Sequence, residues 1–413
     1  MAKNEKIIKF AVISDLHVYD KSIEVYNNNP PSYFPIYTQD KLAHGESPGY
    51  DLYALIKEER LSVDYILCAG DIGHQGNPNH VKYSWEYLNT IKERLKAKNI
   101  YACTGNHDID SRYKYNSYDA KGFLLTLSPD YPLDDINKKN EYWANNYLFI
   151  EEGDFNLILL NSSAFHGVSG EYDGEKFDEY DHGRISDYTM KSISSKLSCI
   201  RKKDINLLLC HHHPKKHDNI RVDDYSEMKG GSELLNMLSG GDYGSWLVIH
   251  GHRHFPIISY ADGGSQSPTI FSAGSFSANL YPEIQTQAKN QFYILEFNLD
   301  DTETYGLVGN FKSWTWVKGK GWYQPDDLLG IPSHGGFGIR PNLKTTINKI
   351  FDRLKNTNAY IEWEELLSFY PEIKYYIPRD IENIAKGLKN KNVTYLQTSK
   401  SILTQIYLNH DSQ

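Results

Sequence analysis

The first hundred residues alternate between short apolar runs and longer stretches with helical spacing of apolar positions. Residues 7–13, 65–68 and 100–103 are predicted strands, and residues 50–60 and 81–98 are predicted helices. Strand–helix–strand units of this kind are typical of parallel sheets. Because ligand sites form outside the carboxyl ends of parallel strands, those ends are where we expect functional residues.

The middle of the chain is richer in predicted strands than in helices. A single helix is predicted at residues 185–197. The predicted strands here are residues 156–160, 206–209, 246–249, 269–272 and 291–297. The hydrophobic pattern alone leaves their pairing order open.

Two long polar stretches, residues 18–49 and 109–144, interrupt this pattern. Loops of that length are uncommon in compact domains and often serve as lids or binding surfaces. Each one directly follows a cluster of chemically reactive residues, so we expect both to rim a functional site.

The last quarter of the chain has a different organisation. The Gly/Pro-rich residues 328–341 are predicted to be a linker after a main domain of residues 1–327. Residues 342–413 are predicted to form a small helical C-terminal domain, with amphipathic helices at 343–355 and 379–389.

Five short polar motifs stand at or just after the ends of predicted strands. They offer carboxylates, an amide oxygen and imidazoles, without a cluster of thiolates. This set suits a pair of divalent metals such as Mn, Fe, Zn, Ni or Co. The motifs are Asp15-Leu16-His17, Gly70-Asp71, Gly105-Asn106-His107-Asp108, His211-His212-His213-Pro214 and Gly251-His252-Arg253-His254.

Composition narrows the class of protein only modestly. The net charge of −9 argues against a surface dedicated to nucleic acid, but it leaves room for a local basic groove. Four cysteines are too few for a disulfide framework, so we expect them to be buried in a reducing compartment. We find no signal peptide and no membrane-spanning run, and therefore expect a cytoplasmic protein with no membrane association.

Taken in order, the five motifs resemble those of the calcineurin-like metallophosphoesterase superfamily, over roughly residues 7–300. The resemblance implies an α/β fold, a four-layer α/β/β/α sandwich of two mixed sheets, with the small C-terminal helical domain appended. It also implies two divalent metal ions as cofactors, of which manganese is favoured.

The resemblance further implies the metal ligands. Asp71 would bridge the two ions. The first ion would be held by Asp15, His17, Asp71 and His254, and the second by Asp71, Asn106, His212 and His252. Since alternate residues of an extended chain face opposite sides, His252 and His254 need an irregular turn, which Gly251 would help to supply.

The fourth motif leaves the choice of ligand open. In the family the ligand usually stands two residues before the proline, which makes His212 the expected ligand and His211 the fallback. His213 would line the pocket and contact substrate.

The same resemblance implies the catalytic group. His107 is expected to stabilise charge on the phosphoryl oxygens and to protonate the leaving oxygen. Asp108 would orient the loop or the imidazole, or simply stabilise the turn. His74 would either contact phosphate or be a solvent-exposed or supporting histidine.

The predicted reaction is hydrolysis of a phosphoester by a hydroxide that bridges two metals. A small phosphodiester, such as a cyclic nucleotide or nucleotide derivative, is the favoured substrate, because the many tyrosines of the polar stretches could stack on a base. One alternative is a nuclease acting on DNA or RNA through the clusters Arg201–Lys203, Lys215–Lys216 and Lys386–Lys391. The other is a protein that binds a partner, or a second copy of itself, through its C-terminal domain.

Overall fold

Strands and helices alternate along most of the chain. The computed structural model describes residues 6–37, 42–172, 175–179, 182–216, 226–327, 329–357, 360–398 and 403–409. The strands within these ranges are β1 (Ile7–Ile13), β2 (Tyr65–Cys68), β3 (Asn99–Ala102), β4 (Tyr147–Glu151), β5 (Phe155–Leu160), β6 (Ser169–Tyr172), β7 (Glu175–Asp178), β8 (Ile205–Leu209), β9 (Leu247–His250), β10 (Ile257–Tyr260), β11 (Thr269–Ser272), β12 (Asn290–Asn298), β13 (Gly309–Val317), β14 (Gly321–Tyr323), β15 (His334–Phe337), β16 (Tyr360–Glu362), β17 (Val393–Gln397) and β18 (Leu403–Leu408).

The helices lie between these strands and vary from one turn to five. They are α1 (Pro48–Glu58), α2 (Pro78–Leu95), α3 (Gly122–Leu125), α4 (Ile136–Asn145), α5 (Asp187–Cys199), α6 (Gly231–Ser239), α7 (Pro282–Gln285), α8 (Leu299–Tyr305), α9 (Leu343–Lys355), α10 (Trp363–Phe369) and α11 (Pro378–Lys389). The longest, α2, begins at an Asn77 cap whose side chain accepts hydrogen bonds from the backbone N–H of Asn79 and His80.

Two mixed sheets form the main domain. The first has the strand order β14-β13-β12-β1-β2-β3, with β15 also paired to β13. The second has the order β10-β11-β9-β8-β5-β4. In the first sheet β1, β2 and β3 are parallel, and in the second β5, β8, β9 and β11 are parallel.

The two sheets pack face to face around a shared apolar core. Phe10 of the first sheet meets Phe155 of the second edge to face, with ring centroids 5.1 Å apart. The outer face of the first sheet is covered by α1 and α2 through Leu52 and Trp85. The outer face of the second sheet is covered by α5 and α6, so the order of layers is helix, sheet, sheet, helix. The expected four-layer sandwich is confirmed.

The predicted strand at residues 7–13 and the predicted helix at 343–355 agree with β1 and α9 residue for residue. Within the predicted linker, however, His334–Phe337 form β15 and pair with β13. Glycines at 335 and 336 hide this strand from a hydrophobic pattern, because they contribute no apolar side chain.

The C-terminal unit, residues 342–409, has a hydrophobic core of its own, made by residues such as Ile350, Leu366 and Ile384. Besides the expected helices it contains a three-stranded sheet in the order β16-β18-β17. These strands are short and partly exposed, so their apolar pattern is weak. The unit is therefore a mixture of helix and sheet rather than purely helical.

None of the helices in the described ranges combines the length and apolar character needed to cross a bilayer.

Hydrogen bonds tie the C-terminal unit, and the end of the linker before it, to the main domain. The Tyr260 hydroxyl of β10 lies 2.8 Å from the carbonyl oxygen of Ile339 and 3.0 Å from Oδ2 of Asp380 in α11. Arg340 donates to the carbonyl oxygen of Gly263 at 2.8 Å. Asp380 is 9% exposed, so its carboxyl group depends on this contact for hydrogen bonding.

We predict that Tyr260→Phe weakens this docking by about 1–3 kcal/mol, because it leaves the Asp380 carboxyl group buried without its hydroxyl partner. Hydrogen–deuterium exchange should show faster exchange in α11 and in residues 334–341, with exchange in β8 unchanged. Tyr188→Phe is the matched control, since Tyr188 is 72% exposed on α5. Unaltered exchange in α11 would contradict the assigned role of Tyr260.

Candidate metal centre

The five polar motifs converge at the carboxyl ends of the parallel strands. Backbone hydrogen bonds join the first motif to the second, from Asp15 N to Gly70 O and from His17 N to Asp71 O, each at 3.0 Å. The fourth and fifth motifs are joined by a bond of 3.1 Å from Gly251 N to His211 O. The loops are thus held together by main chain, independently of any side chain that they present.

Five candidate ligand residues have left-handed backbone conformations. Their φ angles are 54° at Asp15, 46° at His17, 52° at Asp71, 72° at His252 and 54° at His254. Non-glycine residues rarely adopt this region, and such strain concentrates at functional sites. The conformation also turns Asp15 and His17, or His252 and His254, towards the same side, which an extended chain would not do.

The irregular turn expected at the fifth motif is therefore present, but Gly251 contributes to it differently from the expectation. The positive φ angles belong to His252 and His254 themselves. A Cβ atom at Gly251 would lie 2.0 Å from Ser14 Oγ and 2.5 Å from Asp15 Oδ2. Glycine is needed here because the two loops approach closely.

The first ligand cluster contains Asp15, His17 and His254. The Nε2 atoms of His17 and His254 lie 3.1 Å apart, and His254 Nε2 is 3.3 Å from Asp15 Oδ1. Asp71 Oδ2 lies 3.7 Å from His17 Nε2. Asp15 is held by Ser14 Oγ and by the backbone N–H of His252, which both donate to its carboxylate.

The second cluster adjoins the first through Asp71. His211 Nε2 lies 3.2 Å from Asp71 Oδ2, 3.0 Å from Asn106 Oδ1 and 3.3 Å from His252 Nδ1. His252 Nδ1 is in turn 3.1 Å from Asn106 Oδ1. The fallback residue His211 is thus the imidazole that faces Asp71 and Asn106.

His212 lies one step further from Asp71. Its Nδ1 is 2.9 Å from Ser162 Oγ, and its buried Nε2 has no hydrogen-bond partner within the described structure. His212 still belongs to the second ligand cluster, because one of its ring nitrogens lies within 4.8 Å of ligand atoms of His211 and His252. The His213 ring stacks on His252 at a centroid distance of 5.7 Å and is fully buried, so it packs behind a ligand.

His107 stands beside the clusters and is partly exposed. Its Nδ1 accepts a hydrogen bond from the backbone N–H of Gln75 at 3.4 Å, an arrangement that assigns the proton of the neutral ring to Nε2. The ring is 4.7 Å from that of His17. His74 stacks on His107 at 5.1 Å and is 9% exposed, so it supports the His107 ring rather than facing solvent.

Asp108 fixes the loops and does not touch the His107 ring. Its carboxylate accepts backbone N–H bonds from Gly105 and Asp71 at 2.9 Å and from Gly73 at 3.1 Å. These bonds join the second and third motifs, so the structural role weighed for Asp108 is the one that the geometry favours. Burial and the Asp71 carboxylate raise its pKa to about 7.

The donor set fits cations. Nitrogen lone pairs, an amide oxygen and carboxylate oxygens face one another at 3.0–3.3 Å, which is unfavourable unless positive charge lies between them. Burial opposes charge on His211, yet Asp71 raises the pKa of His211 to about 9. Positive charge is thus favoured next to Asp71, where a divalent ion would supply it. Burial lowers the pKa of His17 and His252, which keeps both rings neutral as ligands must be.

Sequence reasoning missed two residues near the clusters. Ser162 follows the buried strand β5 and positions His212, but a serine after an apolar run has no distinctive pattern. Tyr281 stacks on His254 with the ring planes 8° apart and is 61% exposed. It lies far along the chain from every motif, so no local signal marks it.

Solved structures to which this chain is similar include a purple acid phosphatase from a plant. Purple acid phosphatase PPD1 from yellow lupin (Lupinus luteus) seeds is 11% identical, with a TM-score of 0.49 over 81% of this chain and 54% of the lupin chain. This chain therefore spans about half the length of the lupin protein. PhoD is 9% identical, with a TM-score of 0.47 over 82% of this chain and 70% of its own. The calcineurin-like phosphoesterase YfkN from Bacillus subtilis is 11% identical, with a TM-score of 0.35 over 85% and 98% of the two chains.

No curated protein sequence matches this chain. A family model described as wHTH-Calcineurin_assc matches residues 335–390, within and just before the C-terminal unit. A second family model, described as calcineurin-like phosphoesterase, matches residues 8–256. That match covers more than half of the chain and contains all five motifs, so the chain belongs to the calcineurin-like phosphoesterase family.

Proposed function

We propose that this protein is a phosphodiesterase that depends on two divalent metal ions and hydrolyses a small nucleotide-like phosphodiester. The observation that carries the proposal is the pair of ligand clusters that meet at Asp71, with His107 beside them. Asp71 Oδ2 faces His17 on one side and His211 on the other. A carboxylate in that position is suited to bridging two cations.

The proposed ligands follow from these distances. Asp15, His17, Asp71 and His254 would hold the first ion. Asp71, Asn106, His211 and His252 would hold the second ion. In this assignment His211 takes the place of the expected ligand His212. Oxygen and imidazole donors without thiolate support manganese as the metal.

When bound, the two ions supply positive charge that acidifies a water molecule and offsets the charge on the phosphoryl oxygens. The chain itself then has three tasks. The neutral His107 ring donates a hydrogen bond from Nε2–H to the leaving oxygen and stabilises its negative charge, and Gln75 holds the ring in that tautomer. Asp108 fixes the loops that carry Asp71 and His107.

A diester is preferred over a monoester because the site has room on both sides of the clusters. A cavity of about 160 Å³ adjoins His107 and is lined by residues such as Asn106, Arg112 and Lys114. On the other side, Tyr281 covers His254 while exposing most of its own surface. A phosphodiester has a substituent for each side.

One lysine in each of the basic clusters weighed for a nuclease is engaged locally. Lys203 donates to the carbonyl oxygens of Glu152 and Phe155, Lys215 pairs with Asp262, and Lys386 pairs with Glu382. This weakens the proposal that they track a nucleic-acid backbone. The C-terminal unit is docked on the main domain. This favours a role for the unit within this chain over the recruitment of a partner.

The proposal is tested with a panel of phosphomonoesters, cyclic and linear phosphodiesters and duplex DNA, assayed with the full chain loaded with manganese. We expect the highest kcat/KM for a nucleotide diester. Asp71→Ala should lower it by at least about a hundredfold, because both ions lose a ligand. Faster hydrolysis of monoesters or of duplex DNA than of every small diester would refute the assignment.

The choice between the histidines of the fourth motif has its own test. We expect His211→Ala to reduce bound manganese from two ions per chain to one, and His212→Ala to retain both, because only His211 faces Asp71 and Asn106. Metal content after dialysis measures this directly. Loss of an ion in the His212 variant alone would reverse our ligand assignment.

The role of His107 predicts a dependence on the leaving group. His107→Ala should lower kcat about 10²–10³-fold for a diester with an alkoxide leaving group, whose negative charge needs the hydrogen bond from His107. For a p-nitrophenyl ester the loss should be much smaller, since p-nitrophenolate leaves without protonation. Equal losses for the two substrates would show that His107 acts on another step.

A further inference from the structure

A row of rings crosses the metal centre from one rim to the other. Neighbouring ring centroids lie between 4.7 and 6.0 Å apart. In order, the rings are those of Tyr281, His254, His17, His107, His74 and Tyr26. The rings of candidate ligands lie inside this row, and a tyrosine closes each end. Tyr26 is 8% exposed and Tyr281 is 61% exposed, so the flat hydrophobic surface that a base could reach lies on the Tyr281 side.

The loop that follows His107 adds cations and further tyrosines. Its residues 112–118 read Arg-Tyr-Lys-Tyr-Asn-Ser-Tyr, with basic and aromatic side chains alternating over the first four positions. Tyr113 and Tyr115 are each 39% exposed, and Tyr118 is 85% exposed. A group of large aromatic side chains exposed on one surface is typical of a binding site.

This loop is fixed in place. The Asp110 carboxylate, 7% exposed, accepts backbone N–H bonds from Lys114, Tyr115 and Asn116 at 2.6–2.9 Å. The Tyr115 hydroxyl accepts from Asn77 Nδ2 at 3.1 Å. The loop therefore presents a preformed surface, so binding to it loses little conformational entropy.

The cations of the loop lie beside the catalytic histidine. Arg112 and Lys114 line the same cavity of about 160 Å³ as Asn106 and His107. Burial and the charges of His107, His80 and Lys114 together lower the pKa of His74 to about 3, so the Lys114 ammonium group is near the row of rings. A second anionic group placed next to the scissile phosphate would meet these cations.

We propose that the substrate is a short single-stranded oligonucleotide, with one base on Tyr281, the next phosphate at Arg112 and Lys114, and the following bases on the tyrosines of residues 113–118. Alternating stacking platforms and cations are how proteins bind single strands without reading sequence. The net charge of −9 disfavours a long duplex, which needs an extended positive surface. This inference rests on the proposed phosphodiesterase function and specifies its substrate.

The reaction balances as a hydrolysis. One water molecule is consumed, and its oxygen forms a bond to phosphorus as the ester P–O bond breaks. The leaving oxygen is stabilised by a hydrogen bond from His107 Nε2–H, and it takes up the proton that the attacking water releases. The products are one strand that ends in a phosphate and one that ends in a hydroxyl group.

The test measures binding of a fluorescein-labelled, phosphorothioate-linked tetranucleotide to the full chain by anisotropy, in EDTA and with manganese, using thymidine and uridine forms. Tyr281→Ala should raise Kd about tenfold, since stacking on one base is lost. Lys114→Ala should raise Kd and also make it less sensitive to salt, because one phosphate contact is lost. Tyr188→Ala and Lys191→Ala on α5 are the exposed control variants and should bind as the unaltered chain does.

The inference is overturned if the chain fails to bind the tetranucleotide in both conditions, if Tyr281→Ala and Lys114→Ala bind it as tightly as the controls, or if a duplex competes better than a single strand. Hydrolysis of methyl p-nitrophenyl phosphate by the same preparation separates the two proposals. If that activity persists without tetranucleotide binding, the phosphodiesterase stands and the substrate class falls. If binding persists without hydrolysis of any phosphoester, the proposed function falls and the binding surface stands.

Discussion

The Asp71 carboxylate is the group on which the rest of the site depends. Its Oδ2 lies between His17 and His211, and its Oδ1 accepts the backbone N–H of His107 at 2.7 Å. Its own backbone N–H is held by Asp108. One side chain therefore sets the position of the second ligand cluster relative to the first. It also sets the position of His107 relative to both clusters. Gly105 permits this, because a Cβ atom there would lie 2.1 Å from Asp71 Oδ1.

Such a site is expensive in conformational terms. Left-handed backbone at a non-glycine residue costs on the order of 1–3 kcal/mol, and five candidate ligand residues have it, against a typical net stability of about 5–15 kcal/mol. The loops stay in place because buried hydroxyls tie them down, such as Ser275 Oγ donating to the carbonyl oxygen of Asp15 at 2.7 Å. Cations between the facing acceptors would offset the remaining repulsion, so metal binding and fold stability should be linked.

The sequence was sufficient for the motifs and for the eight strands that the hydrophobic pattern predicts, but not for strands such as β4, β10 and β13 or for one choice among three histidines. Strands such as β1 and β11 are dense in apolar residues and bounded by polar motifs, so their limits were predictable. β8, which leads into the fourth motif, is buried on both faces, and its pattern does not reveal which side chain faces the centre. Selecting His211 over His212 needs the positions of Asp71 and Ser162, which come from other strands. The roles of Tyr281 and β15 were not predicted for the same reason, because their partners are distant in the sequence.

The C-terminal unit bears on where a nucleic-acid strand would bind. In helix-turn-helix proteins the N-terminal residues of the second helix contact the bases. In this chain the N-terminal end of α11 carries Asp380, which is buried against Tyr260 of the main domain. The exposed side of α11 carries Lys386, whose charge is paired with Glu382. The first turn of α11 thus contacts the main domain through Asp380, while Arg379 and Lys389 of the same helix are exposed. The strand that we propose would lie instead along the aromatic and basic loop beside His107, where its binding and its hydrolysis would be coupled by position.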